Sequence, residues 1–304
     1  MRILFPITIA LMLIALNSCK NTENNKMVLP AKWYNGEAEL TSYSLEQARY
    51  GQIHSGEAVL IFVTEDFSPT KFVKLDDATN VKEKLPVLKM NFTKKFNTGI
   101  YPYSMMLSVF TPAINKGNER AIKANCTSQE WCGQTFSQFV LNGGKYSWQL
   151  HSYFEQEGDQ SETFNAALLE DDIWSHIRIN PATLPQGKIQ MLPGLLWQRL
   201  SHIKMQPEEA NVSLTAADSF FIDQPGLRMY TIQYPVSQRT LSIYFEANET
   251  NDIIGWQESY PDGVGSHKKV LMTNARRKKT IWLNYWKHNS IADSSYRDSL
   301  GIRF

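Results

Sequence analysis

Apolar and polar residues alternate with a period of two along much of this chain. Tyr146, Trp148 and Leu150 alternate with Ser147, Gln149 and His151; Tyr230, Ile232 and Tyr234 with Thr231 and Gln233; Leu241, Ile243 and Phe245 with Thr240, Ser242 and Tyr244. Successive side chains of a strand point to opposite faces, so each run predicts a strand with one wetter face. Ala58 to Val63 is a more continuous apolar run, as expected of a strand covered on both faces. Turn residues divide the runs. Asn142-Gly143-Gly144-Lys145 is the strongest hairpin signal, and His54-Ser55-Gly56-Glu57 reads as another. Asn248 to Asp252, Pro261-Asp262-Gly263 and Asn274-Ala275-Arg276 punctuate Leu227 to Trp286 into a meander of about five strands.

The middle of the chain is less regular. Phe164 to Ile177 and Leu195 to Ile203 have rough helical spacing, and Pro181, Pro185 and Pro193 interrupt the stretch between them. A subdomain break, if there is one, falls at 181–194. The pattern predicts a mainly β protein: a large curved antiparallel sheet or open barrel with short helical inserts, one domain over 27–304.

The N-terminus breaks this pattern. Ile3 to Leu16 is apolar apart from Pro6 and Thr8, follows Met1-Arg2, and ends in Leu16-Asn17-Ser18-Cys19. A basic start, a short apolar run and a small residue before cysteine make a secretory signal over 1–18. It resembles a bacterial lipobox, which implies acylation of Cys19 and attachment to a membrane; Asn17 departs from the usual small or apolar residue. The apolar run is shorter than the roughly 20 residues a spanning helix needs. Residues 19–26 then form the lipidated cysteine and a polar tether. Lys20, in place of aspartate, points to the outer membrane. Asn21 and Thr22 stand where surface-exposed lipoproteins carry acidic residues, so the periplasmic side is expected.

Charge adds little: Lys plus Arg is 31 and Asp plus Glu is 30, which gives no global field to attract nucleic acid. With Cys19 assigned to the anchor, Cys126 and Cys132 are an even pair in an oxidising compartment and read as a disulfide. Aromatics make up 12% of the chain, eight of them Trp. Trp148, Tyr230, Tyr244, Trp256, Trp282 and Trp286 are candidates for an aromatic concave face that binds an apolar ligand, or for plain core. Lys268, Lys269, Arg276, Arg277, Lys278 and Lys279 form a basic stretch, with Arg276 to Lys279 expected at a hairpin tip: a solvated turn, or a contact for anionic headgroups or an acidic partner. Asp171, Asp172 and His176 fall on one predicted helical face and are the one weak catalytic constellation. No metal-binding spacing, phosphate-cradling loop, dinucleotide fingerprint or serine elbow occurs, so no metal or cofactor is expected.

Tyr50-Gly51-Gln52-Ile53-His54-Ser55-Gly56-Glu57 with the following Ala58 to Glu65, and Ile254-Gly255-Trp256-Gln257-Glu258-Ser259-Tyr260-Pro261, resemble a group of uncharacterised Bacteroidota lipoproteins often labelled septum formation inhibitor Maf. The resemblance covers nearly the whole mature chain, and its motifs mark a family rather than a chemistry. The Maf nucleotide pyrophosphatases themselves carry a Ser-x-Ser-Pro-Arg-Arg segment near the N-terminus, which this chain lacks. The strand–Gly–strand opening is similar to the LolA-type open barrels that carry lipid in the periplasm. The expected role is an envelope lipoprotein that binds an apolar ligand or an envelope partner. A scaffold without a small ligand is the alternative, and a hydrolase using Asp171, Asp172 and His176 comes third.

Overall fold

The structure, a computed structural model, describes residues 29–303 except 80, 115–118, 222–223 and 264–267. Cys19 and the tether lie outside the described residues.

Long hairpins build the first half: β1 (Ala38–Arg49), β2 (Gln52–Ser68), a short β3 (Val73–Lys74), β4 (Leu85–Thr98), β5 (Tyr101–Pro112), β6 (Lys123–Glu130), β7 (Gly133–Asn142), β8 (Lys145–Ser152) and β9 (Gln160–Asn165). A mixed segment follows, with β10 (Leu168–Leu169), helix α1 (Ile173–Ile179), β11 (Gly187–Leu192) and helix α2 (Leu195–Ser201). The chain closes with β12 (Glu208–Ala216), β13 (Leu227–Tyr234), β14 (Arg239–Glu246), β15 (Ile253–Asp262), β16 (Lys269–Leu283) and helix α3 (Ser295–Leu300). All sixteen strands share one sheet, ordered β10-β11-β12-β13-β14-β15-β16-β1-β2-β4-β5-β6-β7-β8-β9, with β3 beside β2. Every pairing is antiparallel except β10 with β11. The path does not close: β9 is one edge, and β10 with β11 is the other. The stretch 181–194 contributes β11 to this same sheet.

Alternation in the sequence becomes alternation of burial. In β8, Tyr146, Trp148 and Leu150 are buried, while Lys145, Ser147, Gln149 and His151 are exposed. The Gly143-Gly144 turn before it has φ of +56° and +76°, the left-handed geometry a two-residue hairpin needs. His54 to Glu57, expected as a turn, lies inside β2; the turn is Tyr50-Gly51. Gly56 serves a different purpose: a Cβ there would sit 2.4 Å from the Lys95 carbonyl oxygen on the neighbouring strand. Arg276 to Lys279, expected at a tip, lie within β16. Their charges are partly taken up along the sheet, Arg277 by Glu246 at 2.7 Å and Lys278 by Glu57 at 3.0 Å. Charged partners across strands hold them in the sheet. They are also well separated from Lys268 and Lys269 at the start of that strand, so the six cations do not form one patch.

The concave face is filled. Ile173, Trp174 and Ile177 of α1 and Leu195, Leu196 and Leu200 of α2 join Phe92, Leu107, Phe139, Trp148 and Trp256 of the sheet in one core. Trp174 packs edge-on against Phe92 and Trp256, with ring centroids 5.2 and 5.4 Å apart. Glu170 and Asp172 lead into α1, where negative charge suits the helix N-terminus. Asn180-Pro181 ends it, because proline excludes the helical conformation before it. Expected to begin at Phe164, this helix starts at Ile173, since Phe164 and Asn165 complete β9. A smaller cluster on the convex side, Ala38, Leu40 and Val63, is capped by Leu300 of α3.

The hairpins define two rims. The upper rim holds the turns β1/β2, β4/β5, β6/β7, β8/β9, β13/β14 and β15/β16. The lower rim holds the entry to β1 and the turns β2/β4, β5/β6, β7/β8, β12/β13 and β14/β15.

Candidate functional site

Where β9 fails to meet β11, the seam opens into a cleft of about 800 Å³. Its apolar wall combines Phe164 of β9, Ala166 and Ala167 of the link to β10, Leu168, and Ile189 of β11. Its polar wall is Glu119 and Arg120 from the β5/β6 connection together with His176 of α1. Arg120 Nη1 is buried with no partner among the described residues. A buried guanidinium nitrogen left unpaired is costly, and an anion seated in the cleft would satisfy it.

His176 is held from behind. Its Nε2 lies 3.2 Å from Asp172 Oδ2. Asp172 is fully buried and also accepts from the Ala121 N–H at 2.7 Å and from the Thr111 hydroxyl. Burial opposes charge on His176, but Asp172 and the backbone of Glu119 outweigh it, so the imidazole titrates above the ordinary histidine value. Asp171 points elsewhere: its Oδ2 accepts from the Leu195 N–H at 3.0 Å, at the start of α2. Burial and the neighbouring Glu170 push its carboxyl up to about 8. The expected trio therefore divides into an Asp172–His176 pair at the cleft and an Asp171 turned into the interior. With its ring engaged by Asp172 and the Glu119 backbone, His176 is held in place on the cleft wall.

The interior holds a second set of charges. Arg239 donates to Glu170 at 2.6 Å and to Glu258 at 2.8 Å, while its guanidinium lies 4.6 Å from the Trp197 ring centroid. Tyr234 donates to Glu170 at 2.7 Å, and Lys94 stands 3.9 Å from Glu258. Burial pulls the Lys94 ammonium below the usual lysine value, with Glu258 opposing. Burial alone would raise Glu258, yet Arg239 and Lys94 bring it below the usual carboxylate range. Two carboxylates face two cations, and the space among them is about 20 Å³, room for no ligand.

The six candidate aromatics do not converge on a binding face. Trp148, Tyr230 and Trp256 are buried in the main core. Tyr244 is buried on the convex side against Phe220 and Phe221 and donates to Asp218 at 3.0 Å. Trp282 packs on Trp33 with ring centroids 4.9 Å apart, beneath the Lys32 ammonium at 4.1 Å. Trp286 is half exposed near the C-terminus.

The expected disulfide is absent. Both cysteines are free, Cys126 buried and Cys132 exposed. Cys126 pairs across the hairpin with Ser137, whereas Cys132 sits on the β6/β7 turn. Four residues of strand separate Cys126 from that turn, about 13 Å, and a disulfide needs Cα atoms within about 7 Å. Among the described residues no group of three or more His, Cys, Asp or Glu could hold a metal ion.

Arg120, Phe164 and Ile189 were not anticipated from the sequence. They come from three separated segments, and no spacing links them. No protein-family model matches the chain, and no curated protein matches it. Among solved structures, a porin-like protein from Bacteroides uniformis ATCC 8492 is 9% identical and covers 80% of this chain and 95% of its own. Its TM-score of 0.21 is too low to align the two folds.

Proposed function

We propose that the protein is a cell-envelope lipoprotein, held to the periplasmic face of the outer membrane through Cys19, that binds an amphipathic anion in the seam cleft. The observation that carries this reading is Arg120, whose buried Nη1 has no partner among the described residues, in a cleft also lined by Phe164, Leu168 and Ile189. Ligand sites are commonly apolar clefts with a few convergent polar groups that fix orientation. Here the apolar lining takes an acyl or similar chain, while Arg120, with His176 beside it, takes a carboxylate or phosphate head. Glu119 on the same wall disfavours a head of higher negative charge. The anchor rests on Leu16-Asn17-Ser18-Cys19. The filled core argues against the six aromatics as a ligand face and favours the seam for this reading.

Displacement of a fluorescent fatty-acid probe from the delipidated protein tests the reading. Saturable binding at micromolar concentration, weakened about tenfold or more by Arg120→Met, is expected, since a charge-assisted hydrogen bond contributes about 1.5–3 kcal/mol. Absence of binding, or binding indifferent to both Arg120→Met and Ile189→Asp, would leave the scaffold role as the better account. Metabolic labelling with a fatty-acid analogue tests the anchor: Cys19→Ala abolishes the label if Cys19 carries the lipid.

A further inference from the structure

Four neighbouring strands carry almost no charge. β5 and β7 contain none, β6 has only Lys123 and Glu130 at its two ends, and β8 has only Lys145 at its start besides His151. Lys123 donates to the Phe72 carbonyl at 3.1 Å, Glu130 is held by Arg199, and His151 lies 3.1 Å from Asp159. By contrast β16 carries Lys269 and the run Arg276 to Lys279.

The outward side of these strands presents amides instead. Gln129 stands opposite Gln134, and Asn125, Gln138 and Gln149 lie in register across β6, β7 and β8. Their neighbours along each strand are buried, as Ser137 and Phe139 are beside Gln138, so the amides face away from the core. None of the five makes a side-chain hydrogen bond among the described residues. Between the two rows Phe136 and His151 lie ring beside ring, with centroids 6.4 Å apart and planes 19° apart. Beside Gln129 and Gln134, on the upper rim, the surface opens into a cavity of about 490 Å³ bordered by Ser104 and by Trp131, which is 68% exposed.

We propose that this face binds a neutral polysaccharide, with a chain crossing β6, β7 and β8 over Phe136 and His151 and a sugar ring seated against Trp131. Each free amide offers both donors and an acceptor, the complement of neighbouring sugar hydroxyls. The rings between the rows, and Trp131 beside them, suit the apolar faces of the sugars. The amides of adjacent strands repeat at about 4.8 Å, close to the length of one hexose in an extended chain, so successive strands address successive sugars. A charged polymer finds no opposite charge here. A protein partner would call for a wider apolar centre than one strip between two amide rows. The Glu130 carboxylate, also on the cavity wall, is already engaged by Arg199.

The test is affinity electrophoresis of the mature chain, made without its acyl group through Cys19→Ser, in native gels containing hydroxyethyl cellulose, galactomannan, dextran or amylopectin. Retardation by at least one of these neutral polymers is expected, and none by the anionic polymer alginate. Trp131→Ala and the double variant Gln138→Ala/Gln149→Ala should each weaken it about tenfold, the loss of one stacked ring or of two hydrogen bonds. All three side chains point to solvent, so the variants keep the circular dichroism and melting temperature of the parent. Trp286→Ala, which removes a half-exposed aromatic from the C-terminal segment, should leave retardation unchanged, as should Arg120→Met in the seam cleft. Passage of the parent through all four gels without delay, equal retardation by alginate, undiminished retardation of Trp131→Ala or of Gln138→Ala/Gln149→Ala, or an equal loss in Trp286→Ala would each overturn the proposal.

Discussion

Glu170, Arg239, Glu258 and Lys94 in the interior and Glu119, Arg120, Asp172 and His176 at the seam are two sets of charges built from the same chemistry. In the interior, the Arg239 guanidinium is shared between two carboxylates, and the space is full. At the seam, Asp172 and His176 satisfy each other, but Arg120 keeps a buried nitrogen with no partner among the described residues, beside an open cleft. A closed set can only hold the fold together. An incomplete one beside empty space can receive something. Arg49, Arg178 and Arg199 also leave a buried Nε without a partner among the described residues, so what sets Arg120 apart is that it lines an open cleft.

The largest expected effect lies in the closed set. Arg239→Met leaves Glu170 and Glu258 buried without their main cation, which typically costs about 3–5 kcal/mol. Urea unfolding should show that loss, or no soluble protein at all. If the stability of Arg239→Met fell by less than about 1 kcal/mol, the interior set would not be the closed structural element described. Gly255→Ala comes next. A Cβ there would approach the Ala275 carbonyl oxygen to 2.1 Å, and strand β16 cannot yield without breaking its pairing. A drop of about 1–3 kcal/mol is expected by analogy with overpacked cores.

The third prediction concerns pH. Asp171 titrates near 8 in the folded chain and at about 4 when unfolded. Between those values the folded chain holds a proton that the unfolded chain has lost, so stability falls as pH rises through the window. His176 contributes in the same direction. Its folded value lies above the ordinary one, so its contribution is present at low pH and lost as pH rises through that folded value. Asp171→Asn should flatten the decline between about pH 5 and 8, measured by chemical denaturation at several pH values. An unchanged slope would mean that Asp171 is ionised in the interior.

The seam should respond differently. Arg120→Met should shift stability by less than about 1 kcal/mol, in either direction, because it removes a guanidinium whose Nη1 has no partner among the described residues. The same substitution is expected to abolish most probe binding. A large loss of stability would place Arg120 with the interior set. The smallest effect is chemical. Cys132 should alkylate in the native protein with no change in stability, whereas Cys126, buried and with its thiol pushed up by burial, should react only on unfolding. Mass spectrometry after each step distinguishes them.

What was legible from sequence follows from how local the signal is. Alternation in 146–150, 230–234 and 241–245 identified strands, because facing is set one residue at a time. Gly143-Gly144 identified a hairpin, because its backbone needs left-handed φ. Gly56 was misread as a turn, because glycine is equally required where two backbones approach closely. Arg276 to Lys279 were misread as a tip, because their partners Glu246 and Glu57 are distant in sequence. Cysteine parity suggested a bridge that strand geometry forbids. The seam cleft was out of reach altogether: it exists because β9 and β11 fail to pair, and its walls come from segments 119–120, 163–168, 176 and 189–190.

The order of strands has a further consequence, for the chain's birth. β1 lies in the middle of the sheet, paired on one side with β2 and on the other with β16. Its first pairing forms within thirty residues of synthesis, as Glu39 meets Phe62. Its second waits for Glu39 to meet Trp282, almost the whole length of the domain later. A chain made N-terminus first therefore emerges with a long unsatisfied strand edge that nothing but its own last strand completes. Such edges invite pairing with other chains, and distant pairing is slow. The nascent protein is most exposed to aggregation just before its final strand arrives, so a holding factor would matter most at that stage.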